Sequence, residues 1–232
     1  ARPNFMKIAP ILRALAAHRP PLPALLVHTG QHYDASMSDR LFADLKLPQP
    51  DLNLEVGSAS HAVQTAEVMK RFEPALDAHQ PSCVLVVGDV NSTLACTLVA
   101  VKKGVPVVHV EAGLRSYDRR MPEEINRVLT DQVADRLYTT ERSAAANLQR
   151  EGVAAERIVF TGNVMIDSLL ASREHARPAA ATLQAHDLDP TLLAHPRGYG
   201  VVTLHRPSNV DDAATLRPLL EVLAEVAATM ST

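Results

Sequence analysis

Apolar residues in this chain follow two rhythms. Short extended runs, Val84 to Val87, Val107 to Val110, Arg136 to Thr140 and Arg157 to Thr161, each close on a polar or glycine-bearing turn. Between them lie stretches whose apolar positions recur about every 3.6 residues. The runs predict buried strands and the stretches predict helices. Helices are expected over Pro3 to His18, where Phe5, Ile8, Ile11, Leu12 and Leu15 share a face and Pro10 marks a first turn or kink. Others are expected over Met37 to Leu45, Ser58 to His79, Glu123 to Ala134 behind Pro122, Glu141 to Glu151, Val164 to Ala176 and Ala213 to Met230. Leu22 to His28 reads as a strand closed by Thr29-Gly30-Gln31-His32, and Pro48 to Leu54 as a loop with a brief extended run. Gly198 to His205 reads as the strand that opens a second unit.

The centre of the pattern is Ser82 to Ser116. Val84 to Val87 ends in Gly88-Asp89; Asn91, Ser92 and Thr93 start a helix that runs through Leu94 to Lys103 and stops at Gly104. Val107 to Val110 follows Pro106 and ends in Glu111-Ala112-Gly113. This is a βαβ unit, and the alternation around it predicts an α/β fold, a Rossmann-type doubly wound parallel sheet. Ligands collect at the carboxyl ends of such strands, so Asp89 and Glu111 are expected on one rim.

Composition shifts at Arg177, and Pro178, Pro190 and Pro196 interrupt a weakly periodic stretch. The organisation expected is a first domain over 1–176, a linker over 177–197 and the start of a second, nucleotide-binding domain over 198–232. The opening helix has no strand before it, so a first strand is expected to be missing. The 232 residues are 47% hydrophobic, enough for a sizeable core. A net charge of −3 argues against a nucleic-acid partner, and 3% aromatics with no Trp argues against stacking platforms. Cys83 and Cys96 lack ligand spacing and read as reduced thiols of a cytoplasmic protein. No run approaches the roughly 18 apolar residues of a membrane span. With no Gly-x-Gly-x-x-Gly, Walker loop, nucleophile elbow or zinc cluster, no cofactor and no metal are expected.

Taken singly, the candidate residues keep bland alternatives. Asp89 is placed either to cap the following helix or to do chemistry, whereas Glu111 has no helix to cap. Glu123 and Glu124 favour the dipole of the helix they open, and Arg127 stands four residues after Glu123, an ordinary ion-pair spacing. Arg2 and Lys7 put cations at a helix N-terminus, which an anionic ligand would explain. His109, inside a strand, reads as a satisfied core residue, and His61 gives no reason for attention. His205 with Arg206 closes the second unit's first strand and is a ligand candidate.

Together these pieces resemble one family. Ala-Arg-Pro-Asn-Phe-Met-Lys, Thr-Gly-Gln-His, Val-Gly-Asp, His-Val-Glu-Ala-Gly-Leu-Arg, Pro-Glu-Glu-Ile-Asn-Arg, Gly-Asn-Val-Met-Ile-Asp and Thr-Leu-His-Arg-Pro occur in that order. The chain resembles the non-hydrolysing UDP-N-acetylglucosamine 2-epimerases over its whole length. The resemblance implies a GT-B-type fold with the nucleotide sugar between two domains. It implies interconversion of UDP-N-acetylglucosamine and UDP-N-acetylmannosamine by elimination of UDP to a 2-acetamidoglucal and its re-addition. By motif, Asp89, Glu111, Glu123 and His205 match the catalytic group, and Arg2, Lys7 and Arg127 match substrate-binding positions, with Arg206 beside His205. Gln31, His32 and Gln64 match part of an activating site that some bacterial members carry, but Asp34 and Val63 depart from it. The resemblance also implies a homodimer at full length, and that this stretch by itself is inactive or nearly so, because the family's first strand and most of its second domain are not in it. A hydrolysing epimerase, a GT-B glycosyltransferase and a non-catalytic nucleotide-sugar binder are the alternatives.

Overall fold

The computed structural model describes residues 2–30, 42–194, 199–204 and 207–231, with backbone only for residues 2, 3, 190, 192, 207, 230 and 231. Two compact units emerge, Ala1–Glu174 and His175–Thr232.

In the first unit the central run becomes a parallel sheet. Strands β3 (Val84–Val87), β4 (Val107–Ala112), β5 (Arg136–Thr139) and β6 (Ile158–Phe160) lie side by side in sequence order. Helices α3 (Asn91–Lys102), α4 (Pro122–Val133) and α5 (Arg142–Arg150) make the crossovers between them. Before this sheet come α1 (Arg2–Ala17), β1 (Val27–His28), β2 (Leu52–Asn53) and α2 (His61–His79), and after it α6 (Val164–Arg173). Strands β1 and β2 pair in parallel as a separate two-stranded sheet.

Helix α3 is apolar nearly all round and correspondingly buried, with α2 and α4 packed against it. Ala95, Cys96, Val99 and Ala100 from α3 meet Val68, Phe72 and Leu76 from α2, and Val86, Val107 and Leu137 from the sheet. Ser60 caps α2 by accepting from Val63 N at 3.3 Å, two residues later than the start expected at Ser58. A second cluster, Phe5, Ala9, Phe42 and Leu47, seats α1, with Phe5 and Phe42 edge to face at 4.8 Å.

Two expectations need correction. The strand expected over Leu22 to His28 is only Val27–His28, because its one neighbour among the described residues, β2, is itself two residues long. Of the strand expected over Gly198 to His205, the described residues 199–204 form none; Val201 and Val202 are exposed and no described segment pairs with them. The stretch expected as linker carries a helix, α7 (Ala179–Ala185), and a 3₁₀ turn over Pro190–Ala194. Helices α8 (Pro207–Val210) and α9 (Ala213–Ser231) follow. The helix expected over Met37 to Leu45 falls mostly outside the described residues; 42–44 are helical. Among the described residues no helix is long and apolar enough to cross a membrane.

Candidate active site

Gly88, at the end of β3, is the point on which the site closes. Its φ is +67°, and a Cβ there would fall 2.9 Å from Asn4 Oδ1, 2.9 Å from Lys7 Nζ and 3.3 Å from Glu111 Oε2. Only glycine lets these three side chains, from α1 and β4, press against that turn. Asn4 Nδ2 donates to Val87 O at 2.9 Å and ties α1 to the strand end. Lys7 donates to the Glu111 carboxylate, and the two side chains are only 8% and 13% exposed. The charge that answers Lys7 is therefore a carboxylate 104 residues away.

Glu111 is presented by a bulge. Val110 pairs with Tyr138 and Ala112 with Thr139, so β4 carries one residue more than β5 at this point. The extra residue is Glu111, at φ +71°, a left-handed conformation that non-glycine residues seldom adopt. Gly113 follows at φ +79°, and a Cβ there would lie 2.5 Å from Ala144 O.

Asp89 does not cap α3. The N-cap is Val90, with no side-chain cap bond, and the Asp89 carboxylate instead accepts from Arg127 Nη2. The expected Glu123–Arg127 pair is not formed. Arg127 Nη1 lies 3.4 Å from Glu124, the residue one position on. The alternation along α4 turns Glu124 inward, to 2% exposure, where Ser116 N, Ser116 Oγ and Tyr117 N donate to it at 2.9, 3.0 and 3.0 Å. Burial opposes ionisation of Glu124. The hydrogen bonds from Ser116 and Tyr117 and the charge of Arg127 outweigh it, and hold the carboxyl below its usual range. Glu123 is half-buried, four residues before Arg127 on the same helical face, and no hydrogen bond or ion pair to it is seen among the described residues.

A chain of amides supports the Asp89 turn. Asn126 Nδ2 donates to Asp89 O at 3.0 Å and to Asn91 Oδ1 at 3.1 Å. Asn91 Nδ2 donates to Gln64 Oε1 at 2.8 Å and lies 3.0 Å from His61 Nδ1, and Gln64 Nε2 donates to Gly57 O at 3.0 Å. His61 thus has a partner that the sequence did not signal. His109 is fully buried, with Nδ1 2.7 Å from Asp131 Oδ1 and Nε2 2.8 Å from Gly88 O. Asp131 Oδ2 also accepts from Gly113 N at 3.0 Å and Arg115 Nη1 at 2.8 Å. Arg115 in turn grips Glu151 through two bonds of 2.8 and 2.6 Å. Burial alone would lower the pKa of Arg115, but its bonds to Glu151 and the charge of Asp131 raise it.

Of the residues singled out from sequence, Lys7 and Glu111 meet at Gly88, Asp89 beside it holds Arg127, and Gln64 reaches the Asp89 turn through Asn91 and Asn126. Gln31, His32, His205 and Arg206 lie outside the described residues, as does the side chain of Arg2. Asn91 and Glu124 carry only a helix-start and a first-turn signal, Arg115 and Asn126 stand unremarked inside quoted motifs, and Asp131 carries no signal at all. The i, i+3 spacing of Glu124 and Arg127 was the one local signal of their pairing. Among the described residues no group of three His, Cys, Asp or Glu side chains is placed to hold a metal ion. The arrangement offers carboxylates that can exchange protons beside cations that can face a polyanion.

Comparison with known proteins fits this chemistry. The profile of the UDP-N-acetylglucosamine 2-epimerase family matches residues 14–232. A UDP-2,3-diacetamido-2,3-dideoxy-D-glucuronate 2-epimerase of Pseudomonas aeruginosa is 42% identical over 97% of this chain and 61% of its own length. The UDP-N-acetylglucosamine 2-epimerase of Methanocaldococcus jannaschii is 39% identical over 97% of this chain and 60% of its own. The crystal structure of that M. jannaschii enzyme in complex with UDP-GlcNAc and UDP superposes with a TM-score of 0.81 at 37% identity, covering 97% of this chain and 60% of that one. The structure of the Rickettsia bellii UDP-N-acetylglucosamine 2-epimerase also gives a TM-score of 0.81, at 27% identity, over 99% of this chain and 57% of that one. The chain thus spans about three fifths of the length of these relatives, and its fold is α/β and GT-B-like, as theirs is.

Proposed function

Since the chain belongs to the UDP-N-acetylglucosamine 2-epimerase family, we propose that it carries the proton-transfer centre of an enzyme that inverts carbon 2 of a UDP-linked 2-acetamido sugar, interconverting UDP-N-acetylglucosamine and UDP-N-acetylmannosamine. The observation that carries this reading is that the Lys7–Glu111 pair packs against Gly88 while Asp89, the next residue, holds Arg127. The reaction asks for these groups. A carboxylate takes the proton from carbon 2 while the electron pair of the carbon 1–oxygen bond leaves with UDP. A proton then returns to the other face of carbon 2 as the UDP oxygen re-adds to carbon 1. Asp89, Glu111 and Glu123 are our candidates for these transfers. Lys7 and Arg127, with Arg2, stabilise the negative charge that grows on the departing diphosphate. His205 and Arg206 are candidates on the strength of their motif alone. Gln64 keeps an activator role only as part of a site with Gln31 and His32. The free thiols Cys83 and Cys96 go with a cytoplasmic setting.

A second substrate has a specific observation in its favour. The P. aeruginosa relative, at 42% identity, acts on a UDP-2,3-diacetamido uronate. Incubating the chain in deuterated water with each UDP-sugar separates the readings. We expect deuterium at carbon 2, slower than in a relative of full length, and abolished in Glu111→Gln. Free N-acetylmannosamine as product would mean the hydrolysing reaction. A UDP-sugar that binds and is recovered without deuterium would overturn the proposal in favour of a non-catalytic binder or a transferase.

A further inference from the structure

The two turns that present Asp89 and Glu111 are joined by one side chain, that of His109. Its Nε2 meets Gly88 O, the carbonyl immediately before Asp89, at 2.8 Å, and its Nδ1 meets Asp131 Oδ1 at 2.7 Å. The same Asp131 receives Gly113 N at 3.0 Å. Asp131 therefore grips β4 two residues before Glu111 and two residues after it, so both flanks of the bulge hang on one carboxylate.

Donors and acceptors decide the state of the ring. A carbonyl oxygen has no proton to give, so Nε2 must donate. Asp131 Oδ2 accepts from Gly113 N and from the Arg115 guanidinium, the pattern of a carboxylate, and a carboxylate oxygen has no proton to give, so Nδ1 donates to Oδ1 as well. An imidazole that donates from both nitrogens is a cation. The charges then balance as two pairs, His109 and Arg115 against Asp131 and Glu151. With a neutral ring beside the Asp131 carboxylate, one nitrogen would turn a lone pair toward an oxygen inside a fully buried site.

We propose that His109 is a protonated strut that fixes the separation of the Asp89 and Glu111 turns, a positioning residue for the proton transfers and not a group that touches the sugar. This rests on the proposed function for its catalytic meaning, though not for its geometry. The charged groups around the strut are Asp131 on α4, Arg115 in the loop after β4 and Glu151 beyond α5. Across Gly88 stand Lys7 of α1 with Glu111, and Asp89 with Arg127 and Glu124.

Nitrogen NMR of the ¹⁵N-labelled chain at neutral pH tests the charge directly. Both ring nitrogens of His109 should show one-bond coupling to a proton; a bare nitrogen would overturn the strut. His109→Gln can donate to one side only, so the ¹³C carboxyl signals of Asp89 and Glu111 should move while those of Asp118 and Asp212 stay in place. Unmoved Asp89 and Glu111 signals in a folded variant would overturn it equally. If His109→Gln does not fold, Asp131→Asn gives the same test, with loss of the second ring proton and a moved Glu111 signal expected. In deuterated water the folded variant should exchange carbon 2 of UDP-N-acetylglucosamine about 100-fold more slowly while binding it within about threefold of wild type, the signature of misplaced groups. Binding and exchange that fall together would mean a structural role alone. Two ring protons and responsive carboxyl signals with no exchange in wild type would leave the strut standing and remove the proposed function.

Discussion

The first unit holds two sets of charged side chains that look alike in composition and differ in how they are satisfied. Around Gly88, among the described residues, Glu111 has one cation, Lys7, and Asp89 has one, Arg127, with side-chain exposures of 13%, 8%, 25% and 14%. Behind the bulge, Asp131 receives three donors and is fully buried with His109, and the Arg115 side chain is 1% exposed. A carboxylate with three of its four lone-pair directions taken, out of reach of water, is a structural fastener. One with a single partner and an open side can still accept a proton. Accessibility and partner count, not residue type, separate the two sets.

That contrast can be broken at either set. Asp131→Ala should be the most damaging change, because it strands a buried His109 and Arg115, at a cost of about 3–5 kcal/mol read from the denaturant midpoint. A loss below about 1 kcal/mol would mean that the buried set is not a fastener. Gly113→Ala comes next. Its Cβ would meet Ala144 O at 2.5 Å at a φ of +79°, and strain of this kind costs on the order of 2–3 kcal/mol in the same measurement.

Glu124→Gln, between the two sets, should cost about 1–2 kcal/mol at neutral pH. Because the folded carboxyl titrates below its ordinary 4.5, the stability it contributes is present above that value and disappears as pH falls through the folded pKa. Wild type and Glu124→Gln should therefore differ at pH 7 and converge in acid, and parallel curves would refute the assignment. Asp89→Asn should be mildest for stability, within about 1 kcal/mol, since Arg127 keeps Glu124 as a partner, yet it should abolish deuterium exchange at carbon 2. Outside both sets, burial pushes the Cys96 thiol up to about 12 while Cys83 is exposed, so alkylation of the native chain should label Cys83 and spare Cys96.

Most regular elements of the first unit are readable because their signals are local. Val84 to Val87 and Val107 to Val110 are apolar runs bounded by turn residues, and both became neighbouring strands. The rim position of Asp89 and Glu111 followed from the rule that βαβ strands end at a common edge. Their partners did not follow. Lys7 meets Glu111 across 104 residues and Arg127 meets Asp89 across 38, distances over which periodicity carries no information. Glu123 and Glu124 were indistinguishable as first-turn acids, and only the packing of α4 turned the second inward. His109 read as a satisfied core residue, which it is, but what satisfies it lies on α4 and at the end of β3. Gly198 to His205 has the composition of a strand, and its described residues lack the neighbour that composition cannot supply.

The extra residue in β4 has one more effect. Up to Val110 the strand counts its side chains in one phase, and from Ala112 in the opposite one, with Glu111 at the changeover. Shortening or lengthening the chain by a single position between His109 and Gly113 would restore an even count and swing the carboxylate away from Lys7 without altering any side chain's identity. The spacing of this segment is thus as much a part of the centre as its letters.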